Sequence, residues 1–149
     1  HAISLPPGEY GGDGIIDFFL NRIQVSAHPY YASICHLKVS SHFLVRRDGQ
    51  ILQFVPVARR AWHAGESKFK GKDSVNDFSI GIELEGIENS SFESAQYQSL
   101  ALLTRLLMKT YPAITLDRIV GHSDIAAGRK TDPGPYFDWH CFREKLAFS

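Results

Sequence analysis

Alternating apolar and polar residues predict a β-hairpin in the first half of the chain. Residues 42–47 and 50–56 are rich in β-forming side chains and flank Asp48-Gly49. That dipeptide tolerates the positive φ angles of a type I′ turn. We therefore expect two antiparallel strands joined by a tight turn.

A second region of β-structure is predicted at residues 78–85, which alternate strictly. Gly81, Glu83 and Glu85 lie on one face of such a strand. The other face carries the apolar side chains, which are Phe78, Ile80, Ile82 and Leu84. We expect a strand with one face in the core and one face of carboxylates.

The clearest helical period lies in residues 91–111, where apolar side chains recur at spacings of three and four. Those side chains are Tyr97, Leu100, Leu103 and Leu107. Ser91, Glu93 and Gln96 supply a polar first turn. One long helix is expected there, ended by Pro112.

Shorter patterns complete the expected order of elements. Helices are predicted at residues 15–20, 29–36 and 136–148, a strand at 116–120, and loops at 4–14 and 68–77. Strands that alternate with helices around a mixed central β-sheet give an α/β fold. The length of 149 residues suits a single domain over residues 1–149.

Charge and cysteine content narrow the class of partner. Sixteen basic residues balance sixteen acidic ones, so no net field attracts nucleic acid or an anionic membrane. No stretch is long and apolar enough to span a bilayer. A small molecule is the expected partner, and a monomer is the expected state. Cys35 and Cys141 are expected to be free, buried thiols in a reducing compartment.

The strongest sign of chemistry is the polar loop at residues 121–135. His122 and Asp132 are both competent zinc ligands, and Arg129 and Lys130 can meet an anion. Glycine and proline residues prevent the loop from forming a continuous helix. Rigid polar loops often carry function, although an ordinary surface loop is the alternative on composition alone.

Four other segments stand with this loop in a familiar order and spacing: residues 1–9, 41–49, 60–65 and 76–86. With them the chain resembles the zinc-dependent N-acetylmuramoyl-L-alanine amidases from His1 to about Phe142. It is most similar to the branch that cleaves 1,6-anhydro-muropeptides during cell-wall recycling. The resemblance implies the fold of T7 lysozyme and the peptidoglycan-recognition proteins, a muropeptide substrate and a cytoplasmic enzyme that affects β-lactamase induction.

In this family the first histidine follows directly on a hydrophobic strand, which this chain is expected to lack. A periplasmic location therefore stays open beside the cytoplasmic one. The missing strand also leaves open a third interpretation, an inactive fragment that holds little metal.

The resemblance implies that His1, His122 and Asp132 bind Zn²⁺, with Glu83 and Lys130 as the catalytic residues. Glu83 would act as the general base, and Lys130 would stabilise the oxyanion. Without the resemblance, His1 could be a disordered end, Glu83 a solvent-facing carboxylate and Lys130 a solvated lysine. Glu85 is interpreted as a solvent-facing carboxylate. Gly81 favours a site, because a strand glycine often marks the close approach of a ligand.

Substrate contacts are expected from four residues around the same pocket. Trp62 is a candidate aromatic wall, although a buried tryptophan is as common, and His63 lies in the same family segment. Lys38 and Arg60 are candidates for anionic groups of the stem peptide.

Ala2, Lys38 and Ser74 depart from the residues expected of the family, and they leave stem-peptide selectivity open. A peptidoglycan-binding protein on the same fold is the main alternative to an amidase. Such binders typically lack a metal ligand. This chain has all three, which favours hydrolysis.

Overall fold

The structure, a computed structural model that describes residues 1–148, contains short strands around a central sheet and four α-helices. The strands are β1 (Ala2–Ile3), β2 (Phe43–Val45), β3 (Ile51–Gln53), β4 (Lys68–Phe69), β5 (Lys72–Asp73) and β6 (Ile82–Glu85). The helices are α1 (Gly14–Phe19), α2 (Ser94–Thr110), α3 (His122–Ile125) and α4 (Trp139–Ala147). Single turns of 3-10 helix occur at Val25–Ala27, Pro29–Ser33, Val75–Asp77 and Leu116–Arg118.

The central sheet is mixed, with four strands in the order β1-β6-β2-β3. β6 is parallel to both of its neighbours, whereas β2 and β3 are antiparallel. The register sets Leu44 opposite both Leu52 and Glu83. The predicted single α/β domain with a mixed central sheet is confirmed, and Glu83 lies in the middle of that sheet.

The predicted hairpin is present, but its turn has a different type. Only Gly49 of the central pair has a positive φ angle, at 87°. Its N–H donates to Arg46 O at 2.8 Å, and Arg46 N–H donates to Gln50 O at 2.8 Å. These bonds describe a type I turn followed by a left-handed glycine, so the predicted type I′ turn is wrong.

Residues 68–77 were expected to form a loop, and that prediction is wrong. β4 and β5 pair as a small antiparallel hairpin, with Lys68 opposite Asp73. Lys70 and Gly71 both have positive φ angles, of 47° and 80°, as a type I′ turn requires. The turn expected at Asp48-Gly49 therefore occurs in the second hairpin.

Helix α2 follows its predicted pattern and ties the sheet to the rest of the fold. Its apolar residues Tyr97, Leu100, Leu103 and Leu107 are buried. At its N-terminus the Gln96 side chain accepts a hydrogen bond from the Glu93 N–H at 3.0 Å, which is one half of a capping box. The fully buried Gln96 amide also donates to Val45 O at 3.2 Å and to Glu85 O at 2.9 Å. One side chain thus joins the helix to two central strands.

Residues 116–120 do not form the predicted strand. Leu116–Arg118 is a single 3-10 turn, in which Leu116 is 50% exposed, and Val120 is 38% exposed. Leu116 and Val120 lie on the surface and Ile119 packs against the core, and within residues 1–148 no strand pairs with this segment.

The predicted strand at residues 78–85 is shorter than expected, and its polar face is not solvated. β6 begins only at Ile82, and the Glu83 and Glu85 side chains are both buried. Glu85 forms an ion pair with Arg46 at 3.0 Å, which compensates its burial. The interpretation of Glu85 as a solvent-facing carboxylate is therefore wrong.

The two cysteines are free, but neither is buried. Cys35 is exposed and Cys141 is half-buried, so the expectation of buried thiols is wrong. Among the described residues, no helix is both long and apolar enough to cross a membrane.

We predict that Phe142→Ala will lower the free energy of unfolding by about 3–5 kcal/mol, because it leaves a cavity in a packed core. Phe142 is only 2% exposed and joins α4 to the core under α2. Equilibrium urea unfolding measures the loss. Leu106→Ala, at a side chain that is 55% exposed, is the control and should change little. Equal losses in the two variants would contradict the packing.

Candidate active site

The three residues expected to bind metal converge in the structure. His1 Nδ1 lies 3.0 Å from His122 Nδ1 and 3.2 Å from an Asp132 carboxylate oxygen. The other Asp132 oxygen lies 3.1 Å from His122 Nδ1. The three side chains form a group of possible ligand atoms that all lie within 4.8 Å of one another.

These distances fit a single metal ion. Tetrahedral zinc with Zn–N bonds of about 2.0–2.1 Å separates neighbouring ligand atoms by about 3.3 Å. His122 Nε2 contacts Ala64 O at 2.9 Å, so the proton belongs on Nε2 and the lone pair of Nδ1 points into the group. The group could bind a metal, because two imidazole nitrogens and a carboxylate lie around one point.

The polar loop is held in shape by local contacts between its two halves. Ser123 N–H donates to Asp132 O at 3.1 Å, and Ala2 N–H donates to the Asp132 carboxylate at 3.3 Å. A Cβ atom on Gly121 would lie 2.8 Å from the Pro133 ring. The glycine lets the His122 and Asp132 segments pack closely enough to share a centre.

Glu83 lies beside this group with an oxygen that has no partner. Its Oε1 is 4.0 Å from His1 Nδ1, and its buried Oε2 has no hydrogen-bond partner among the described residues. Burial raises the pKa of Glu83 to about 6. A buried, unpartnered carboxylate oxygen is costly, and such groups occur where a reacting molecule is to be bound.

The hydrogen bonds and charges within the group favour the ionised form of Asp132. Burial alone would raise the pKa of Asp132, but hydrogen bonds with His1 and His122 hold it below its usual value. Burial alone would lower the pKa of His1, but the charges of Glu83 and Asp132 hold it above its usual value. A metal cation placed there would take over the role of the proton on His1.

Lys130 is exposed at the edge of the site. Its backbone N–H donates to Ala126 O at 3.0 Å, which fixes the start of the side chain. Its positive charge acts on both His1 and Glu83, although burial has the larger effect on their pKa values. Lys130 is therefore an exposed cation whose charge acts on two residues of the site.

His63 is placed differently from the other expected substrate residues. Its Nδ1 lies 2.9 Å from His1 Nε2, and its Nε2 lies 3.2 Å from Ser79 Oγ. Burial and the neighbouring imidazoles lower its pKa to about 2. A Cβ atom on Gly81 would come within 2.4 Å of the His63 ring, so this glycine accommodates a side chain. Our interpretation of Gly81 as a mark of ligand approach is wrong.

Trp62 and Arg60 form a stacked pair at the surface. The Arg60 guanidinium lies 3.8 Å from the centre of the Trp62 ring and pairs with Asp77 at 2.6 Å. Trp62 is 57% exposed, so the alternative of a buried tryptophan is wrong. Lys38 is exposed as well. The structure leaves an aromatic face and a lysine accessible, whereas Arg60 is already engaged.

A cavity of about 590 Å³ also reaches His1 and His122, but its chemistry is different. Its wall is largely apolar and includes Ile82, Leu100 and Leu107. Of the residues expected to contact substrate, His63 and Arg60 line it, whereas Trp62 and Lys38 do not.

Two residues that hold the site together were missed or misread in the sequence. The buried Asn76 accepts hydrogen bonds from His63 N–H at 3.1 Å and Ala64 N–H at 2.8 Å. Arg129 was expected to meet an anion, but it donates to Ala64 O at 2.6 Å and Glu66 O at 2.7 Å. The adjacency of Arg129 to Lys130 gave no sign of this inward role.

Known proteins match the chain over nearly its whole length. The sequence profile of the N-acetylmuramoyl-L-alanine amidase family, Amidase_2, matches residues 16–135. The 1,6-anhydro-N-acetylmuramyl-L-alanine amidase AmpD of Salmonella typhimurium strain SL1344 is 56% identical over 149 residues, which is all of this chain and 79% of that protein.

Solved structures agree in fold. A crystal structure of a selenomethionine AmpD derivative superposes with a TM-score of 0.95 at 55% identity, over 98% of this chain and 81% of that one. The Escherichia coli amidase AmiD was solved with anhydro-N-acetylmuramic acid-L-Ala-D-γ-Glu-L-Lys. It gives a TM-score of 0.67 at 38% identity over 78% of this chain and 51% of AmiD. The resemblance identified in the sequence is confirmed: the chain belongs to the N-acetylmuramoyl-L-alanine amidase family and is an enzyme of that class.

Proposed function

We propose that the protein uses zinc to hydrolyse the amide bond between the lactyl group of 1,6-anhydro-N-acetylmuramic acid and L-alanine. The observation that carries this proposal is the convergence of His1, His122 and Asp132 beside the unpartnered oxygen of Glu83. The names of the most similar relatives support an anhydro-muropeptide as the substrate.

Each residue of the site has a task in amide hydrolysis. His1, His122 and Asp132 would hold the ion in a site with an open position. A bound zinc ion activates water for attack and polarises a carbonyl group. Glu83 would take a proton from the attacking water and return it to the leaving nitrogen, since its raised pKa suits proton transfer near neutral pH. The Lys130 ammonium would stabilise the negative charge on the carbonyl oxygen.

The exposed residues near the site would hold the substrate. The open face of Trp62 can stack on an apolar part of the sugar, and Lys38 can meet a carboxylate of the stem peptide. Arg60 would contribute mainly by fixing Trp62, because its own charge is paired with Asp77. A monomer in the cytoplasm, where it would recycle cell-wall peptides and limit β-lactamase induction, is part of the same proposal.

A binding protein on this fold would use the site differently. Recognition of a muropeptide does not require a general base, so it gives no reason to bury an unpartnered carboxylate beside two histidines. The buried oxygen of Glu83 therefore favours hydrolysis over binding alone.

We predict that a zinc chelator will abolish activity and that added Zn²⁺ will restore it. Release of the stem peptide from 1,6-anhydro-N-acetylmuramyl-tripeptide measures the reaction, and atomic emission measures zinc in the same samples. Circular dichroism is the control, and it should show a retained fold because the apolar core does not include the metal group. Full activity in metal-free protein would rule out the metal mechanism.

A further inference from the structure

The half-buried His63 has both of its ring nitrogens engaged within the protein. Its two ring nitrogens face His1 Nε2 at 2.9 Å and Ser79 Oγ at 3.2 Å. Its ring fills the space that Gly81 leaves by having no side chain. Both hydrogen-bonding atoms are thus used inside the protein, whereas Trp62, its neighbour in sequence, is 57% exposed.

The direction of these hydrogen bonds follows from the ligand atom of His1. His1 Nδ1 is the nitrogen that faces His122 and Asp132, so a metal there requires it to be unprotonated. The proton of the neutral His1 ring then lies on Nε2, which donates to His63 Nδ1. His63 in turn carries its proton on Nε2 and donates to Ser79 Oγ. Three side chains form one directed chain that ends at the metal group.

The backbone of the same segment is fixed independently. Asn76 accepts hydrogen bonds from the backbone N–H groups of His63 and Ala64, at 3.1 and 2.8 Å. Ala64 O in turn contacts His122 Nε2 at 2.9 Å. Residues 63 and 64 thus meet the outer nitrogens of both histidines, one with a side chain and the other with a carbonyl.

We propose that His63 is a positioning residue that orients the metal ligand His1, and that it does not bind the substrate. This inference rests on the proposed zinc amidase function and corrects the role that the sequence suggested for His63. A metal-binding histidine commonly donates its other N–H to a fixed acceptor, which sets its tautomer and its ring rotation. Here the acceptor is a second imidazole, locked in place by Gly81 and Ser79.

Two substitutions of His63 distinguish a positioning role from a role in substrate binding. His63→Leu removes the acceptor, whereas His63→Asn keeps an oxygen that can reach the place of Nδ1. We expect zinc affinity, measured by chelator competition, to fall about 10–100-fold in His63→Leu, which is the usual loss when such a partner is removed. His63→Asn should restore most of that affinity.

Substrate kinetics in saturating zinc give the second measurement. For a positioning residue, KM for the anhydro-muropeptide should stay near the wild-type value in both variants. The visible absorption of the cobalt-substituted protein should shift in His63→Leu and return toward the wild-type spectrum in His63→Asn. Ser79→Ala, which leaves the ring in place and removes only its outer partner, should weaken zinc binding by a smaller factor even if His63→Leu fails to fold.

Different results would contradict the positioning role of His63 and the proposed function. Unchanged zinc affinity in His63→Leu together with a raised KM would return His63 to the substrate site. Equal losses in His63→Leu and His63→Asn would also overturn the positioning role, because the acceptor would then not matter. A wild-type protein that binds no zinc would instead refute the proposed function.

Discussion

Glu83→Gln is expected to lose roughly two to four orders of magnitude in turnover, the usual contribution of a general acid–base group. Glutamine keeps the size of the side chain but cannot accept a proton at neutral pH. The zinc content should stay the same, because Glu83 Oε1 lies 4.0 Å from His1 Nδ1 and Glu83 is not one of the three grouped ligands. Zinc stoichiometry and turnover are measured on the same preparation.

The control for this variant is Glu66→Gln, which makes the same chemical change at an exposed position. It should leave turnover and zinc content unchanged, because only the backbone carbonyl of Glu66 contacts Arg129. Near-normal turnover in Glu83→Gln would mean that another group accepts the proton. The buried oxygen of Glu83 would then need a different explanation.

Asp132→Asn is expected to lose zinc and activity together. A neutral amide is a much poorer ligand than a carboxylate, and it also cannot balance the charge of the cation. The same substitution weakens the contacts with His1 and His122, at 3.2 and 3.1 Å, that hold both rings in place. Metal analysis after dialysis should find far less than one zinc per chain, with turnover reduced in proportion.

Asp73→Asn provides the matched control, because Asp73 is exposed and pairs only with Lys68 at 3.3 Å. It should bind zinc and turn over substrate as the wild type does. If Asp132→Asn kept a full zinc ion while it lost activity, Asp132 would be assigned to catalysis instead of metal binding. The pair Glu83→Gln and Asp132→Asn thus separates the two functions within one site.

The elements that the sequence predicted well are those in which local pattern and burial agree. The period of Tyr97, Leu100 and Leu107 marks the buried face of α2, because a helix on a sheet is covered along one stripe. The prediction of a strand at residues 116–120 was wrong because pattern and burial disagree there. Their apolar side chains suggested a strand, but in the part of the chain that the structure describes no strand pairs with them.

The alternation of residues correctly assigned the side chains of β6 to two faces. It did not show which other parts of the protein cover those faces. Glu85 was read as exposed, yet Arg46 from the neighbouring strand region reaches it at 3.0 Å. Ion pairs of this kind depend on tertiary contacts and leave no mark in the local pattern. The same limit applies to Glu83, because the local pattern does not show that it is buried or that burial raises its pKa.

For the site, the metal residues came from the resemblance to a family, and the structure brings them together. The polar loop alone could not exclude an ordinary surface loop. The contacts of His63 could not be read from the sequence, because the direction of its ring depends on Gly81 and Ser79, which follow it by 16 to 18 positions. Arg129 was misread because a charged residue beside Lys130 looks solvated until its carbonyl partners are known.

The parallel pairing of β1 with β6 determines which changes of chain length the site can tolerate. His1 N–H donates to Ile82 O at 3.1 Å, and Leu84 N–H donates to His1 O at 3.0 Å, so the two bonds lie on either side of Glu83. The spacing of His1 and Glu83 is therefore fixed by the backbone. Inserting or deleting one residue in β6 would present Ile82 or Leu84 in place of Glu83. Such a change would move the Glu83 carboxylate away from His1 without altering a single residue type, whereas the turn at Lys70-Gly71 is exposed and could vary in length.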